Sequence, residues 1–120
     1  MIVEDEGLIA NHTASVLKKA GHVVAGIAAS ADELFELMPG SDSDLVLMDI
    51  RIDGPLDGIQ TAAKLREESD VPVIFLSAHS DKQTLERAKG VGASSFLTKP
   101  VNRAVLLNAV KEGIQKRKVG

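Results

Sequence analysis

The chain has no cysteine, tryptophan or tyrosine, and only three phenylalanines and four prolines among its 120 residues. Without cysteine there is no disulfide, no thiolate metal site and no thiol nucleophile, a composition that fits a reducing compartment. With so few aromatics the core has to be aliphatic, and the stacking platforms that grip single-stranded nucleic acid are missing. Positive charge is not in excess either: the formal net charge is -3, which offers no footprint for a polyanion, so direct nucleic-acid binding by this segment is not expected. No apolar run approaches the roughly 20 residues of a membrane span. No signal peptide is visible, and the chain reads as cytoplasmic with no membrane contact.

What is present is enough for one domain, residues 1–120, long enough to bury roughly two thirds of the unfolded surface in a single core. Five strand-like segments stand out: Met1 to Val3, Val23 to Ile27, Leu45 to Met48, Val73 to Leu76 and Ser95 to Thr98. Three of them are near-continuous apolar runs, as in a sheet covered on both faces. Helical periodicity fills the intervals. Leu8 to Ala20 places Ile9, Thr13, Val16, Leu17 and Ala20 on one face, with Gly21 as a stop. Asp32 to Met38 is a short second helix closed by Pro39-Gly40. Asp57 to Glu68 sets Ile59, Ala62 and Ala63 on one side, and Asp81 to Lys89 sets Leu85 and Ala88 on one side. The last helix takes Asn102 as N-cap, carries Leu106, Val110 and Ile114 at four-residue steps, and has Lys111, Lys116, Arg117 and Lys118 towards its C-terminal end.

Five strand–helix units in alternation predict an α/β fold, a doubly wound parallel sheet with right-handed crossovers. In such sheets ligands bind beyond the carboxyl ends of the strands. The residues at those ends carry the chemistry. The first strand runs into Glu4 and Asp5, the third into Asp49, the fourth into Ser77 and the fifth into Lys99-Pro100. Topology would therefore gather at one rim groups that the sequence scatters.

The motifs Val3-Glu4-Asp5-Glu6, Leu47-Met48-Asp49-Ile50-Arg51, Leu56-Asp57-Gly58, Leu76-Ser77-Ala78 and Thr98-Lys99-Pro100, in this order, resemble the receiver domain of two-component response regulators along nearly the whole chain. The resemblance implies a flavodoxin-like sheet of order 2-1-3-4-5 with five helices. It implies that Asp49 is the phosphoacceptor, taking a phosphoryl group from a sensor histidine kinase or a histidine phosphotransfer protein; carboxylates are established nucleophiles for this transfer. It assigns magnesium to Asp5, Asp49 and the backbone carbonyl of Arg51, with Glu4 acting through water. Elementary electrostatics asks for such a cation independently. Two carboxylates ~4 Å apart repel by about 4 kcal/mol at an effective dielectric of 20, equivalent to roughly three pKa units. Magnesium favours hard oxygen ligands and keeps several waters.

By the same resemblance Lys99 contacts the phosphoryl oxygens, Ser77 is the switch hydroxyl, and Phe96 is an aromatic that moves with it or is plain core. The Lys99-Pro100 bond is a candidate for the cis isomer, since an X-Pro bond gives up little to adopt it. Phosphorylation would alter the face of helix four, strand five and helix five, which serves an output domain or partner protein and is compatible with a homodimer. Such a chain is a signalling module and not a turnover enzyme. Two other readings share parts of the pattern. A receiver used only for docking would never carry phosphate. A haloacid-dehalogenase-like phosphatase needs a second acid two residues after its nucleophile, where this chain has Arg51.

Departures from the common receiver pattern fall in two places. Asp53-Gly54-Pro55 lengthens the loop after Asp49 by about one residue relative to the family, leaving Asp53 as a solvated turn residue or a water-mediated metal contact. The first strand is short. His12, His22 and His79 have no metal-like spacing and read as surface residues, although His79 and Arg51 fall where receivers tune phosphate lifetime.

Overall fold

The computed structural model describes residues 1–119, with side chains through Arg117. Five strands and five helices alternate: β1 (Ile2–Val3), α1 (Gly7–Lys19), β2 (Ile27–Ala28), α2 (Ala31–Leu37), β3 (Val46–Asp49), α3 (Gly58–Arg66), β4 (Val73–Ser77), α4 (Lys82–Gly90), β5 (Ser95–Thr98) and α5 (Arg103–Val119). All strand pairs are parallel and the sheet order is β2-β1-β3-β4-β5, as the resemblance implied.

Period-two alternation splits the apolar side chains of the central strands between two cores. Val46, Met48, Val73 and Phe75 join Leu34 of α2, Ile59, Ala62 and Leu65 of α3, and Ala88 of α4. Leu45, Leu47, Ile74 and Leu76 face the other way, onto Ala14 and Leu17 of α1 and Leu106, Ala109 and Val110 of α5. Each large side chain so buried contributes about 1.5–3 kcal/mol, and the absence of big aromatics is made good by number. Among the described residues, no buried side-chain nitrogen or oxygen lacks a partner.

The helix ends follow the capping chemistry written in the sequence. Asp57 and Gln60 form a reciprocal capping box on α3, Asp81 accepts from the backbone of Thr84 on α4, and Asn102 accepts from Ala104 and Val105 on α5. At the end of α1, Gly21 takes φ 94°, while the N–H groups of Gly21 and His22 bond Lys18 and Leu17, the paired bonds of a Schellman stop.

Three expectations need correction. The second strand is Ile27–Ala28 and not Val23 to Ile27. Its parallel partner β1 offers only Ile2 and Val3, so Val23 to Ala25 have no neighbour to pair with. The buried face of α1 is Ala10, Ala14 and Leu17; Ile9 and Ala20 are exposed and Thr13 and Val16 only half-buried. On α3, Ala63 faces solvent and Thr61 is buried instead, its hydroxyl donating to the carbonyl of Asp57 at 2.7 Å. The basic C-terminal stretch is a helix end that ties α5 to two loops. Arg117 donates to the carbonyl of Ser43 at 2.9 Å and pairs with Asp70 at 3.3 Å. The side chain of Lys118 and all of Gly120, the last residue of the expected domain, lie outside the described residues.

Candidate functional site

The carboxyl ends of β1, β3, β4 and β5 converge on a cleft of about 930 Å³ whose walls include Asp5, Asp49, Arg51, Ser77 and Lys99. Each side chain arrives there for a local reason. Asp49 is the last residue of β3, whose apolar residues Val46 to Met48 are fixed on both faces of the sheet. Lys99 follows β5, held by its N–H bonding the carbonyl of Ser77 at 2.7 Å and followed by a cis bond to Pro100.

Lys99 is the hub. Its ammonium lies 2.5 Å from Asp49 Oδ2 and 3.1 Å from Glu4 Oε1, joining residues 50 and 95 positions away. The remaining oxygens are partly used: Asp49 Oδ1 accepts the N–H of Arg51 at 3.1 Å, and Glu4 Oε2 accepts that of Glu6 at 3.4 Å. Asp5 differs. It is exposed, and among the described residues its carboxylate accepts no protein hydrogen bond. Oxygens from Glu4, Asp5 and Asp49 all lie within 4.8 Å of one another, a cluster of hard anionic donors suited to a divalent cation. Asp5 is the exposed carboxylate of the three, while Glu4 is buried and already engaged with Lys99.

Charge crowding marks the site. Glu4 is pushed up to about 7, first by burial and then by the neighbouring Asp49 carboxylate, with Lys99 opposing the shift. Burial also disfavours the Lys99 ammonium, but its bonds to Asp49 and Glu4 outweigh that, and its pKa is raised. A carboxyl that keeps its proton up to about 7 in the folded state, and only to 4.5 in the unfolded chain, makes the folded protein bind more protons in that window. Metal-free protein is therefore expected to lose thermal stability as pH rises from 4.5 to about 7, and Glu4→Gln to flatten that slope; melting curves across the range check it.

Ser77 is buried, and its hydroxyl accepts the N–H of His79 at 3.0 Å, pinning the first turn of the β4–α4 connection. Phe96 is half-buried against the α2–α4 core. Asp53 does not join the acidic cluster. Its N–H bonds the carbonyl of Ala29 and it bridges to Ser30, so the long loop is fastened to the end of β2 with its carboxylate exposed. His12 and His79 are exposed and His22 half-buried.

Two further residues of this region make contacts that only the structure defines. Gly58 opens α3 directly against the end of β3, its N–H bonding the carbonyl of Ile50 at 2.7 Å. A Cβ there would overlap the carbonyl oxygen of Asp49 and come within 2.8 Å of Ile50 Cα. Arg87 reaches from α4 to Asp57 at 2.8 Å, on the wall of the same cleft. The Asp57-Gly58 motif was a signal for the first; nothing in the sequence marked the second.

Comparison with known proteins agrees with this arrangement. Residues 1–111 match the family model described as the response regulator receiver domain. The transcriptional regulatory protein PdtaR of Mycobacterium tuberculosis is 32% identical over 116 residues, covering 97% of this chain and 56% of that protein. The positive alginate biosynthesis regulatory protein of Pseudomonas aeruginosa is 37% identical over 122 residues, covering 99% and 48%. The chain thus spans about half the length of the curated relatives it matches. Among solved structures, the signal receiver domain of a modulated diguanylate cyclase from Desulfovibrio desulfuricans superposes with a TM-score of 0.90 at 35% identity, covering 98% of this chain and 94% of that one. NtrX from Brucella abortus gives 0.89 at 27% identity, covering 98% and 27%. With this fold, this strand-end cluster and a family match across nearly its full length, the chain belongs to the response regulator receiver domain family.

Proposed function

We propose that Asp49 accepts a phosphoryl group from the phosphohistidine of a sensor histidine kinase or a histidine phosphotransfer protein, and that the resulting charge switches the surface of α4, β5 and α5. The observation that carries the reading is the Lys99 ammonium bonded to both Asp49 and Glu4 at the mouth-facing ends of separate strands. A surface lysine has no reason to be held this way.

Asp49 Oδ attacks phosphorus, an acyl phosphate O–P bond forms, and the P–N bond breaks with the electron pair returning to the imidazole. Lys99 supplies fixed positive charge where the phosphoryl oxygens gather negative charge. Asp5, Asp49 and the Arg51 carbonyl, with Glu4 through water, would hold magnesium, which would supply positive charge against the carboxylates and phosphoryl oxygens. The all-oxygen donor set supports that choice of ion. The Ser77 hydroxyl, now satisfied by the N–H of His79, would turn to donate to the phosphoryl group, and releasing His79 would let the β4–α4 connection move. Phe96 follows from its half-buried place beside β4. Water later cleaves the acyl phosphate, so the domain assists one transfer and one slow hydrolysis and is not a turnover enzyme.

The switched face would serve an output domain or a partner protein, or a second copy of the chain. Several longer relatives are named as transcriptional regulatory proteins, which supports an output domain. No helix among the described residues is long and apolar enough to cross a membrane, which is in keeping with work in the cytoplasm. The test is incubation with a small acyl phosphate and magnesium. The expected result is one added phosphoryl mass, labile to hydroxylamine, mapped to Asp49, and abolished by a chelator. An unmodified protein, or modification that survives chelation, would overturn the reading.

A further inference from the structure

The wall of the cleft away from the acidic cluster is made by α3 and α4, and one bond spans them. Arg87 Nη2 meets Asp57 Oδ2 at 2.8 Å, and both side chains line the cleft that holds Asp49, Ser77 and Lys99. The two ends differ in firmness. Asp57 is immobilised by its cap, with Oδ1 accepting the N–H of Gln60 at 2.8 Å and its own N–H donating to Gln60 Oε1 at 2.9 Å. α4 is loosely seated: of its nine residues only Ala88 is buried. Among the described residues, the pair with Asp57 is the one side-chain hydrogen bond α4 makes to another element. α4 also continues directly from the exposed turn 78–81 that follows Ser77. The bond therefore joins the capped start of α3 to a sparsely buried helix on the wall of the cleft that holds Asp49.

We propose that Arg87 and Asp57 form a strap across the mouth of the cleft that restricts access to Asp49, with Arg87 acting as a positioning residue for α4. This rests on the reading of Asp49 as phosphoacceptor. The side chains are 41% and 31% exposed, so the pair is weak and open to screening by salt. A strap of this kind biases an opening; it does not lock it. Releasing it widens the approach for both phosphodonor and water, and acceptance and hydrolysis both speed up.

The test compares the parent with Arg87→Gln, Asp57→Asn and the double variant, using a small acyl phosphate and magnesium. Asparagine keeps an oxygen to cap Gln60 while removing the charge. Acceptance and hydrolysis are expected to rise about two- to fivefold in each single variant, the range an exposed ion pair can bias. The double variant should add nothing further, the ratio to the parent should fall towards one at high salt, and Arg87→Lys should return part of the way. Rates in the variants equal to or below the parent's, or additive effects, would overturn the strap. If the parent itself takes up no phosphoryl group, the phosphoacceptor reading fails instead. The strap is then read from amide hydrogen exchange over residues 82–90: faster exchange in the variants supports it and unchanged exchange overturns it.

Discussion

Asp49→Asn is expected to leave a folded protein that never gains a phosphoryl group, whatever the donor or magnesium concentration. The amide matches the carboxylate in shape, and its one oxygen can still receive the N–H of Arg51, now 3.1 Å from Oδ1, at the loss of the bond from Lys99 to Oδ2. It lacks the nucleophilic anion that forms the acyl phosphate, so the loss is complete and not a slowing. Stability should not suffer. Three carboxylates crowd one another with only two of them bonded to the Lys99 ammonium, and Asp49 helps drive Glu4 up to about 7. Removing its charge relieves repulsion, leaves Lys99 with Glu4, and should move the titration of Glu4 down towards its ordinary range. The checks are intact mass after donor treatment, and a melting temperature no lower than the parent's at neutral pH without metal. Residual phosphorylation at another residue would remove Asp49 from its assigned role.

Gly58→Ala is the second large effect, and it acts through backbone. The added methyl would overlap the Asp49 carbonyl oxygen and approach the Asp49 carbonyl carbon within 2.9 Å. A flexible side chain could rotate away from such a contact; a strand end flanked by two cores cannot. Either α3 moves out, losing the Gly58 to Ile50 bond and the packing of Ile59 and Ala62, or β3 is displaced at its functional end. Overpacking of this type costs about 1–3 kcal/mol, and contact with backbone places it at or above the upper end. Chemical denaturation should show stability lowered by that amount, as an earlier midpoint with an unchanged slope. Phosphoryl acceptance should fall in whatever protein remains folded. A variant within a few tenths of a kcal/mol of the parent would mean that α3 has room not evident from its packing.

How much of this was readable in advance depended on where each signal lives. β3 and β4 announce themselves because a strand covered on both faces must be apolar throughout, and the polar residue that ends it is then conspicuous: Asp49 and Ser77. The cluster of Glu4, Asp5, Asp49 and Lys99 followed once parallel topology put the strand ends together. The failures have equally physical causes. Val23 to Ala25 have strand composition, but a strand is a pairing, and β1 is too short to supply one. On α1 the eye follows large residues, whereas Ala10 and Ala14 face the sheet and leave Leu8 and Ile9 outside. For Asp53 the sequence allows a solvated turn or a water-mediated metal contact, and the exposed carboxylate on a backbone anchored at Ala29 is the turn. The bond between Arg87 and Asp57 joins residues thirty apart with no pattern linking them, so it exists only in three dimensions.

The alternation of β3 between two cores has a mechanical consequence. Leu45 and Leu47 are keyed into one side and Val46 and Met48 into the other, so any slide of the strand along its axis would drag teeth through both layers at once. Asp49 is mounted on a stiff member. The chain beyond Ser77 has exposed residues from Ala78 to Gln83 and a helix with a single buried residue, which makes it the compliant part. Under the proposed function, a charge placed on Asp49 would act by deflecting its surroundings while its own support stays still. It would be the arrangement of a fixed electrode facing a movable vane.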